Sequence, residues 1–227
     1  PRHRRLARRY TPLLKYLSSE RAVLAARRSL QIHGGAGYTR DYVPEKLLRD
    51  SLVLPIYEGT SQIQSLMAMK DTLLGVIQSP GAFLRRGADA RVLALSSPDP
   101  LARGVARLTV LVTKCVTFLL ARTAGDKLRA LATEPSSTWL SAVRKQWDPK
   151  RDFSLAMLHA ERLTQLLADE AVAEVLLAQA RHEPARRIWL ERWLERAEPR
   201  ARALTDAITT TGARVLGTLH ARSTLGA

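Results

Sequence analysis

Apolar residues in the first third of the chain recur at the three- and four-residue spacing of an α-helix. The predicted helices run from Thr11-Pro12 to His33, from Pro44-Glu45 to about Leu54, and from Thr60 or Ser61 to about Ser79. Each begins or ends at a proline, a glycine pair or a capping hydroxyl residue. Residues 10–78 are therefore predicted to supply antiparallel helices to a four-helix bundle.

Beyond residue 79 the sequence again predicts helices, separated by breaks at proline and glycine. Residues 80–100 are rich in proline, glycine and serine, which predicts a linker with one short helix. Further helices are predicted near 101–122, 124–133, 137–146, 152–181, 184–197 and 199–218, with breaks at Gly125, Pro135, Pro149, Pro184 and Pro199. No stretch alternates between apolar and polar residues as a strand does. The predicted fold class is all-α, with a first domain at 1–79, a linker at 80–100 and a second helical domain at 101–227.

The apolar run, the single cysteine and the scattered histidines exclude several classes of protein. The longest apolar run, Val105 to Ala121, is interrupted by Arg107 and Lys114, which favours a buried helix over a membrane span. The single Cys115 excludes a disulfide framework and a cysteine metal cluster within this chain, and the five histidines form no metal-binding pattern. We therefore expect a cytoplasmic protein that binds neither a metal nor a membrane.

The net charge of +15 makes nucleic acid a partner to consider, because clustered Lys and Arg neutralise phosphates. The charge is spread along the chain, however: residues 1–79 hold 13 basic and 6 acidic residues, and residues 80–227 hold 23 and 15. An even distribution argues against a nucleic-acid-binding surface. An acidic, nucleotide-bearing coenzyme would also be attracted by such a field.

Two loops carry candidate chemistry, and the first is QIHGGAGYTRDY at residues 31–42. Three glycines in four residues allow positive φ angles or a close approach of the backbone to a ligand. The loop follows a predicted helix and no strand, so it is not the dinucleotide fingerprint of a βαβ unit. This loop is interpreted either as a helix C-cap with a turn or as a ligand-binding loop. Beside it, His33 is expected to serve packing or hydrogen bonding rather than catalysis.

The second loop is LPIYEGTSQIQ at residues 54–64, which places Glu58 between a tyrosine and a glycine just before a helix. Gly59 leaves room beside the carboxylate, and Thr60-Ser61 would cap the helix. A glutamate desolvated by Ile56, Tyr57 and a substrate would be more basic and suited to removing a proton next to a carbonyl. The alternative is an ordinary solvated loop glutamate.

Residues 31–64 taken together resemble the C-terminal helical domain of the acyl-CoA dehydrogenase family. The resemblance rests on Q-x-x-G-G-x-G-Y, then E-K-x-x-R-D, then I-Y-E-G-T-S-x-I-Q at matching separations, and it extends more weakly over residues 10–78. It implies the C-terminal four-helix-bundle part of that fold, followed here by a second helical domain.

The resemblance also implies a reaction and its residues. Glu58 would be the catalytic base that takes the α-proton of an acyl-CoA thioester while a β-hydride passes to N5 of FAD, giving a trans-2-enoyl-CoA. Gln31, Gly34 and Gly35 would contact the adenosine diphosphate part of an FAD held mainly by a neighbouring subunit, Thr60 and Gln62 would contact the flavin, and Tyr57 and Gly59 would lie against the substrate. Implied partners are an acyl-CoA, a homo-oligomer (dimer or tetramer) or a missing N-terminal half, and electron-transfer flavoprotein as electron acceptor.

The chain departs from this family at both ends. Members carry an N-terminal helical domain and a middle β-domain, so we expect a fragment, a split subunit or the C-terminal half of a larger protein that is inactive by itself. The stretch after the third helix carries all four tryptophans, of which Trp189 and Trp193 are spaced to pack together against neighbouring helices or a subunit interface. The alternative function is a non-catalytic flavin-binding relative with a basic nucleic-acid-binding surface.

Overall fold

A computed structural model describes residues 2–132 and 153–225, and within them every regular element is a helix. The all-α prediction is confirmed. The helices are α1 (Arg2–His33), α2 (Val43–Ser51), α3 (Ser61–Gln78), α4 (Pro80–Ser96), α5 (Pro100–Ala132), α6 (Ser154–Leu158), α7 (Ala160–His182), α8 (Arg187–Thr210) and α9 (Ala213–Leu225), with short 3₁₀ segments at Gly34–Tyr38 and Pro184–Arg186. The helix predicted at 137–146 lies outside the described residues, as do Trp139 and Trp147.

The chain divides into two compact units, Pro1–Asp71 and Thr72–Ala227. The division falls inside α3, whereas the sequence pattern placed the end of the first domain at residue 79. Unit 1 contains α1, the 3₁₀ segment, α2 and the first part of α3. Unit 2 contains the rest of α3 and the helices that follow.

In unit 1, α1 packs against α2 and the 3₁₀ segment and buries Leu13 and Tyr16. The helix begins nine residues before the predicted start and runs through Pro12, which loses one backbone hydrogen bond. Two features support the extra turns: the Arg-rich start has high helix propensity, and Arg8 forms a bidentate pair with Asp71 on α3 at 2.9 Å for both hydrogen bonds. The predicted C-terminal end is confirmed, with Gly34 at a φ of 60° directly after His33.

Unit 2 is built around α5, against which α4, α7 and α8 pack. The side chains of Leu108, Cys115, Val116 and Leu119 on α5 are fully buried. The segment Pro100–Gly125 is long and apolar enough to cross a membrane, but 56% of its most apolar window is buried inside the unit. This burial agrees with the predicted core helix.

Helix α4 corrects the prediction of a linker with one short helix at 80–100. It spans 17 residues, Pro80–Ser96, and lies along α5. A Cβ at Gly87 would lie 2.8 Å from Thr113 Cγ2, so glycine permits the close contact, and Ala90 is buried beside it. Gly87, one of the residues that suggested a linker, instead lies on the face of α4 that packs against α5.

Two predicted helix breaks are also wrong. Helix α5 continues through Gly125, and α8 continues through Pro199. Around Pro199, the flanking Ala197 and Ala201 are both fully buried, whereas the proline itself is exposed. Tertiary packing on both sides therefore holds the helix despite the missing amide hydrogen.

Two adjacent carboxylates on α7 are fully buried and are paired with arginines of other helices. Asp169 accepts two hydrogen bonds from Arg200 on α8, at 2.7 and 2.8 Å, and its carbonyl oxygen accepts one from the Trp193 indole at 3.1 Å. Glu170 pairs with Arg86 on α4 at 2.8 Å. Trp193 thus packs between helices as predicted, whereas Trp189 is exposed. The carboxylates join α7 to its neighbours on two sides.

The Asp169–Arg200 pair generates a stability prediction. Arg200→Met is expected to lower the free energy of unfolding by about 3 kcal/mol, because it leaves a buried carboxylate without its partner. Urea denaturation of both proteins measures the difference. The control is Arg192→Met on the same helix, which breaks an exposed pair with Glu195 and should change stability by less than about 0.5 kcal/mol. Equal small effects for both variants would contradict the structural role of the buried pair.

His159, between α6 and α7, is fully buried and held in one neutral form. Arg162 Nη1 lies 3.2 Å from its Nδ1, and because arginine only donates, Nδ1 must be the acceptor. Nε2 lies 3.2 Å from the Thr211 carbonyl oxygen and must therefore donate. Burial lowers the pKa of His159, and the nearby Arg162 charge lowers it further, against the opposing hydrogen bond to Thr211. Protonation would break the Arg162 contact and place two cations together.

This geometry predicts a loss of stability in acid. Because the folded-state pKa lies below the ordinary histidine value of 6.5, the unfolded state binds more protons as the pH falls past that value. The contribution of His159 is fully present above pH 6.5 and declines below it. Denaturation at pH 7.5 and pH 5.5 should show a smaller decline for His159→Gln than for the wild type. An identical pH dependence in the two proteins would contradict the assignment.

Candidate functional site

A closed turn connects α2 to α3 and contains Glu58. The amides of Ile56 and Tyr57 donate to the Val53 carbonyl at 2.9 and 3.1 Å, and the Ser61 amide donates to the Pro55 carbonyl at 2.9 Å. These hydrogen bonds fold residues 52–60 into consecutive turns. The turn therefore has a defined backbone conformation without being a helix.

Glu58 has a left-handed backbone conformation. Its φ of 50° is positive, as for no other non-glycine residue in the described ranges, and Gly59 follows with a φ of 92°. This conformation costs an L-residue with a side chain about 1 kcal/mol or more, so the surroundings must impose it. Within unit 1 the expected burial of Glu58 by Ile56 and Tyr57 is not found, because both are exposed at 65% and 45% and Glu58 is exposed too. The turn presents all three residues on the surface of the unit.

The start of α3 fixes the far side of this turn. Thr60 is the N-cap, since its Oγ1 accepts a hydrogen bond from the Ile63 amide at 3.2 Å. Of the two residues predicted to cap this helix, Thr60 and Ser61, it is Thr60 that forms the cap. Gln62 is exposed on the first turn of the helix, and the Gln64 side-chain amide donates to the Glu58 carbonyl at 3.3 Å.

Two residues of α1 that the sequence analysis missed also hold the turn. Lys15 Nζ donates to the Leu54 carbonyl at 2.9 Å and lies 3.8 Å from the centre of the Tyr57 ring. Glu20 Oε1 accepts a hydrogen bond from Ser61 Oγ at 2.5 Å. These contacts join residues about 40 positions apart in sequence, and no local pattern marks them.

The glycine loop after α1 offers an open backbone surface. Gln31, Gly34 and Gly35 are exposed, and a Cβ at either glycine would meet nothing within 4 Å. Gly37 is different, because a Cβ there would lie 2.7 Å from His33 Cβ and 2.8 Å from the Leu30 carbonyl oxygen. Gly37 is therefore required by packing, whereas Gly34 and Gly35 are free to contact a ligand.

His33 has the structural role expected of it. Its Nδ1 lies 2.8 Å from the Ser29 carbonyl oxygen, and its ring is tilted at 55° against Tyr42 with 6.5 Å between the ring centres. These contacts fix the end of α1 beside the glycine loop. Within residues 2–132 and 153–225, no group of three or more His, Cys, Asp or Glu is arranged to hold a metal ion.

The candidate residues form two groups joined by α1. Glu20, which binds the start of α3, precedes Gln31 by eleven residues, or about 16 Å along the helix axis at about 1.5 Å per residue. One group comprises Tyr57, Glu58, Gly59, Thr60 and Gln62, and the other comprises Gln31, Gly34 and Gly35. At this separation the two groups are suited to distant parts of one extended ligand or to two ligands.

Known proteins resemble this chain in sequence and in fold. Residues 2–73 match the family described as acyl-CoA dehydrogenase, C-terminal domain. An acyl-CoA dehydrogenase of Bacillus subtilis is 49% identical over 63 residues, which are 28% of this chain and 17% of that protein. A 3-methylmercaptopropionyl-CoA dehydrogenase of Ruegeria pomeroyi is 33% identical over 136 residues, 58% of this chain and 22% of the relative. The chain thus spans about a fifth of the length of these relatives.

The fold is also similar to that of a crystal structure of an acyl-CoA dehydrogenase complexed with FAD from Bacillus anthracis. The TM-score is 0.60 at 18% identity, covering 92% of this chain and 34% of the other. At 18% identity the likeness is one of fold alone.

The turn geometry predicts the effect of a methyl group at position 59. Gly59→Ala is expected to destabilise the protein by about 1 kcal/mol or more, because alanine disfavours a positive φ and its Cβ would lie 2.5 Å from Gln64 Nε2. The matched control is Gly75→Ala near the end of α3, where a Cβ meets nothing within 4 Å and alanine should stabilise by about 0.5 kcal/mol. Chemical denaturation measures both, and a neutral Gly59→Ala would contradict the described turn.

Proposed function

We propose that the chain is the C-terminal part of an FAD-dependent acyl-CoA dehydrogenase, because residues 2–73 match the C-terminal domain of that family. The reaction is α,β-dehydrogenation of an acyl-CoA thioester to a trans-2-enoyl-CoA. The observation that carries the proposal is Glu58, a carboxylate on a strained turn at a capped helix start. A non-glycine residue in such a conformation is typical of functional sites.

Glu58 is the proposed base. The α-proton of a thioester is weakly acidic, so its removal needs a carboxylate at a fixed position beside the α-carbon. Gly59 follows Glu58 without a side chain, with the Gln64 amide close to the place a Cβ would take, and Tyr57 directly before Glu58 is exposed. The exposed position of Glu58 on unit 1 leaves it accessible to a substrate, and a bound acyl chain would exclude water from the carboxylate.

FAD is the proposed cofactor, and it supplies the acceptor for the hydride that leaves the β-carbon. The residues present fit a dinucleotide: Gly34 and Gly35 expose backbone that a diphosphate can approach closely, and Gln31 is exposed in the last turn of α1 before them. In the proposal, Gln31, Gly34 and Gly35 hold the adenosine diphosphate part of an FAD belonging mainly to a second subunit. Thr60 and Gln62, at the start of α3, would contact the flavin.

Unit 2 is proposed to belong to the same enzyme. The alignment with the Ruegeria pomeroyi relative covers 136 residues, whereas the family match covers only residues 2–73, so the resemblance to a CoA-ester dehydrogenase extends well beyond the first unit. The complete enzyme is proposed to be a homo-oligomer that passes electrons to electron-transfer flavoprotein.

The test is Glu58→Gln in the complete enzyme. Glutamine keeps the shape of the side chain but cannot take up the proton, so flavin reduction by a saturating acyl-CoA should slow on the order of a thousandfold. Acyl-CoA binding and flavin content should be retained. Stopped-flow absorbance of the flavin measures the rate.

The control is Glu45→Gln on α2, which weakens an i,i+4 pair with Arg49 and leaves the turn intact. It should reduce flavin at the wild-type rate. Normal flavin reduction by Glu58→Gln would show that Glu58 is not the base and would overturn the proposed role.

A further inference from the structure

Helix α1 holds the Glu58 turn on both sides, and we infer that Lys15 is a positioning residue that sets the orientation of the Glu58 carboxylate. The inference rests on the proposed function, because it assigns a role to Lys15 in the reaction of Glu58. Lys15 lies 43 positions before Glu58 in the chain and carries no motif of its own.

Lys15 makes two contacts with the turn through a single ammonium group. One N–H donates to the Leu54 carbonyl at 2.9 Å, just after α2 ends, and the nitrogen lies 3.8 Å from the centre of the Tyr57 ring. The first contact fixes the beginning of the turn, and the second fixes the residue directly before Glu58. A cation over an aromatic face is attracted by the ring quadrupole, so the Tyr57 ring is held as well as the backbone.

The other side of the turn is held by separate contacts. Glu20, also on α1, accepts a hydrogen bond from Ser61 at 2.5 Å, and the Gln64 amide binds the Glu58 carbonyl at 3.3 Å. Glu58 therefore lies between two attachments to one rigid helix. Its left-handed backbone persists because these attachments leave the turn few alternatives.

Comparison with Arg8 distinguishes a positioning role of Lys15 from a role limited to the stability of unit 1. Arg8 lies on the same helix and pairs with Asp71 on α3 through two hydrogen bonds, each 2.9 Å long. That pair fastens α1 to α3 within unit 1 and does not contact the turn. Loss of either cation removes an attachment of α1, but only loss of Lys15 releases the residues next to Glu58.

The experiment compares Lys15→Met, Lys15→Arg and Arg8→Met in the complete enzyme. Lys15→Met removes both contacts at similar side-chain length, and it should slow flavin reduction at saturating acyl-CoA about 10- to 100-fold, as expected for a displaced catalytic group. The dissociation constant of acyl-CoA and the flavin content should stay near wild type. Lys15→Arg keeps the charge and donors and should recover part of the rate, whereas Arg8→Met should reduce flavin at the wild-type rate.

A milder variant covers the case in which Lys15→Met fails to fold. Ser61→Ala removes only the hydroxyl that binds Glu20, and it should slow flavin reduction several-fold with acyl-CoA affinity unchanged. The inference is overturned if Lys15→Met and Arg8→Met reduce flavin equally fast, if the loss of rate follows the loss of flavin, or if Lys15→Arg recovers nothing. With a slow Glu58→Gln and a normal Lys15→Met, only the positioning role fails. A normal Glu58→Gln instead overturns the proposed function itself.

Discussion

The rigidity of α1 is the constraint on which the arrangement of unit 1 depends. An α-helix of 32 residues has a fixed rise and rotation per residue, so everything attached to it has a fixed position along one axis. Its middle holds the Glu58 turn through Lys15 and Glu20, and its C-terminal end presents Gln31 and the exposed glycines. The distance between the two candidate groups is therefore set by the number of residues between them and not by a flexible loop.

Unit 2 follows a different principle, in which buried charges specify how helices meet. The apolar face of α5 supplies the core, but hydrophobic surfaces alone are tolerant of sliding and rotation. Asp169 and Glu170 are adjacent on α7 and pair with arginines from two different helices, α8 and α4. Burying a carboxylate without its partner is unfavourable, so only one register of the three helices satisfies both pairs. Of the arginines that give the chain its positive charge, Arg86 and Arg200 are used in such pairs.

The sequence predicted features that depend on local chemistry and missed those that depend on distant contacts. The end of α1 at His33-Gly34 and the cap of α3 were predicted because glycine and threonine act through their own backbone neighbours. Pro12 and Pro199 were taken as helix boundaries, yet both lie inside helices that tertiary contacts sustain. Gly87 suggested a linker but serves the close contact of α4 with α5. In the site, Glu58 was identified from its motif, whereas Lys15 and Glu20 act across about 40 residues of sequence and left no local signal.

The left-handed backbone at Glu58 affects how such a chain can change over evolutionary time. Glycine and aspartate adopt this conformation more readily than glutamate, and a single nucleotide change converts a glutamate codon into a codon for either. Random mutation therefore repeatedly offers this position a residue that better suits its backbone. A lineage with no use for the carboxylate would therefore be free to drift toward those residues, whose backbone preference suits the turn better.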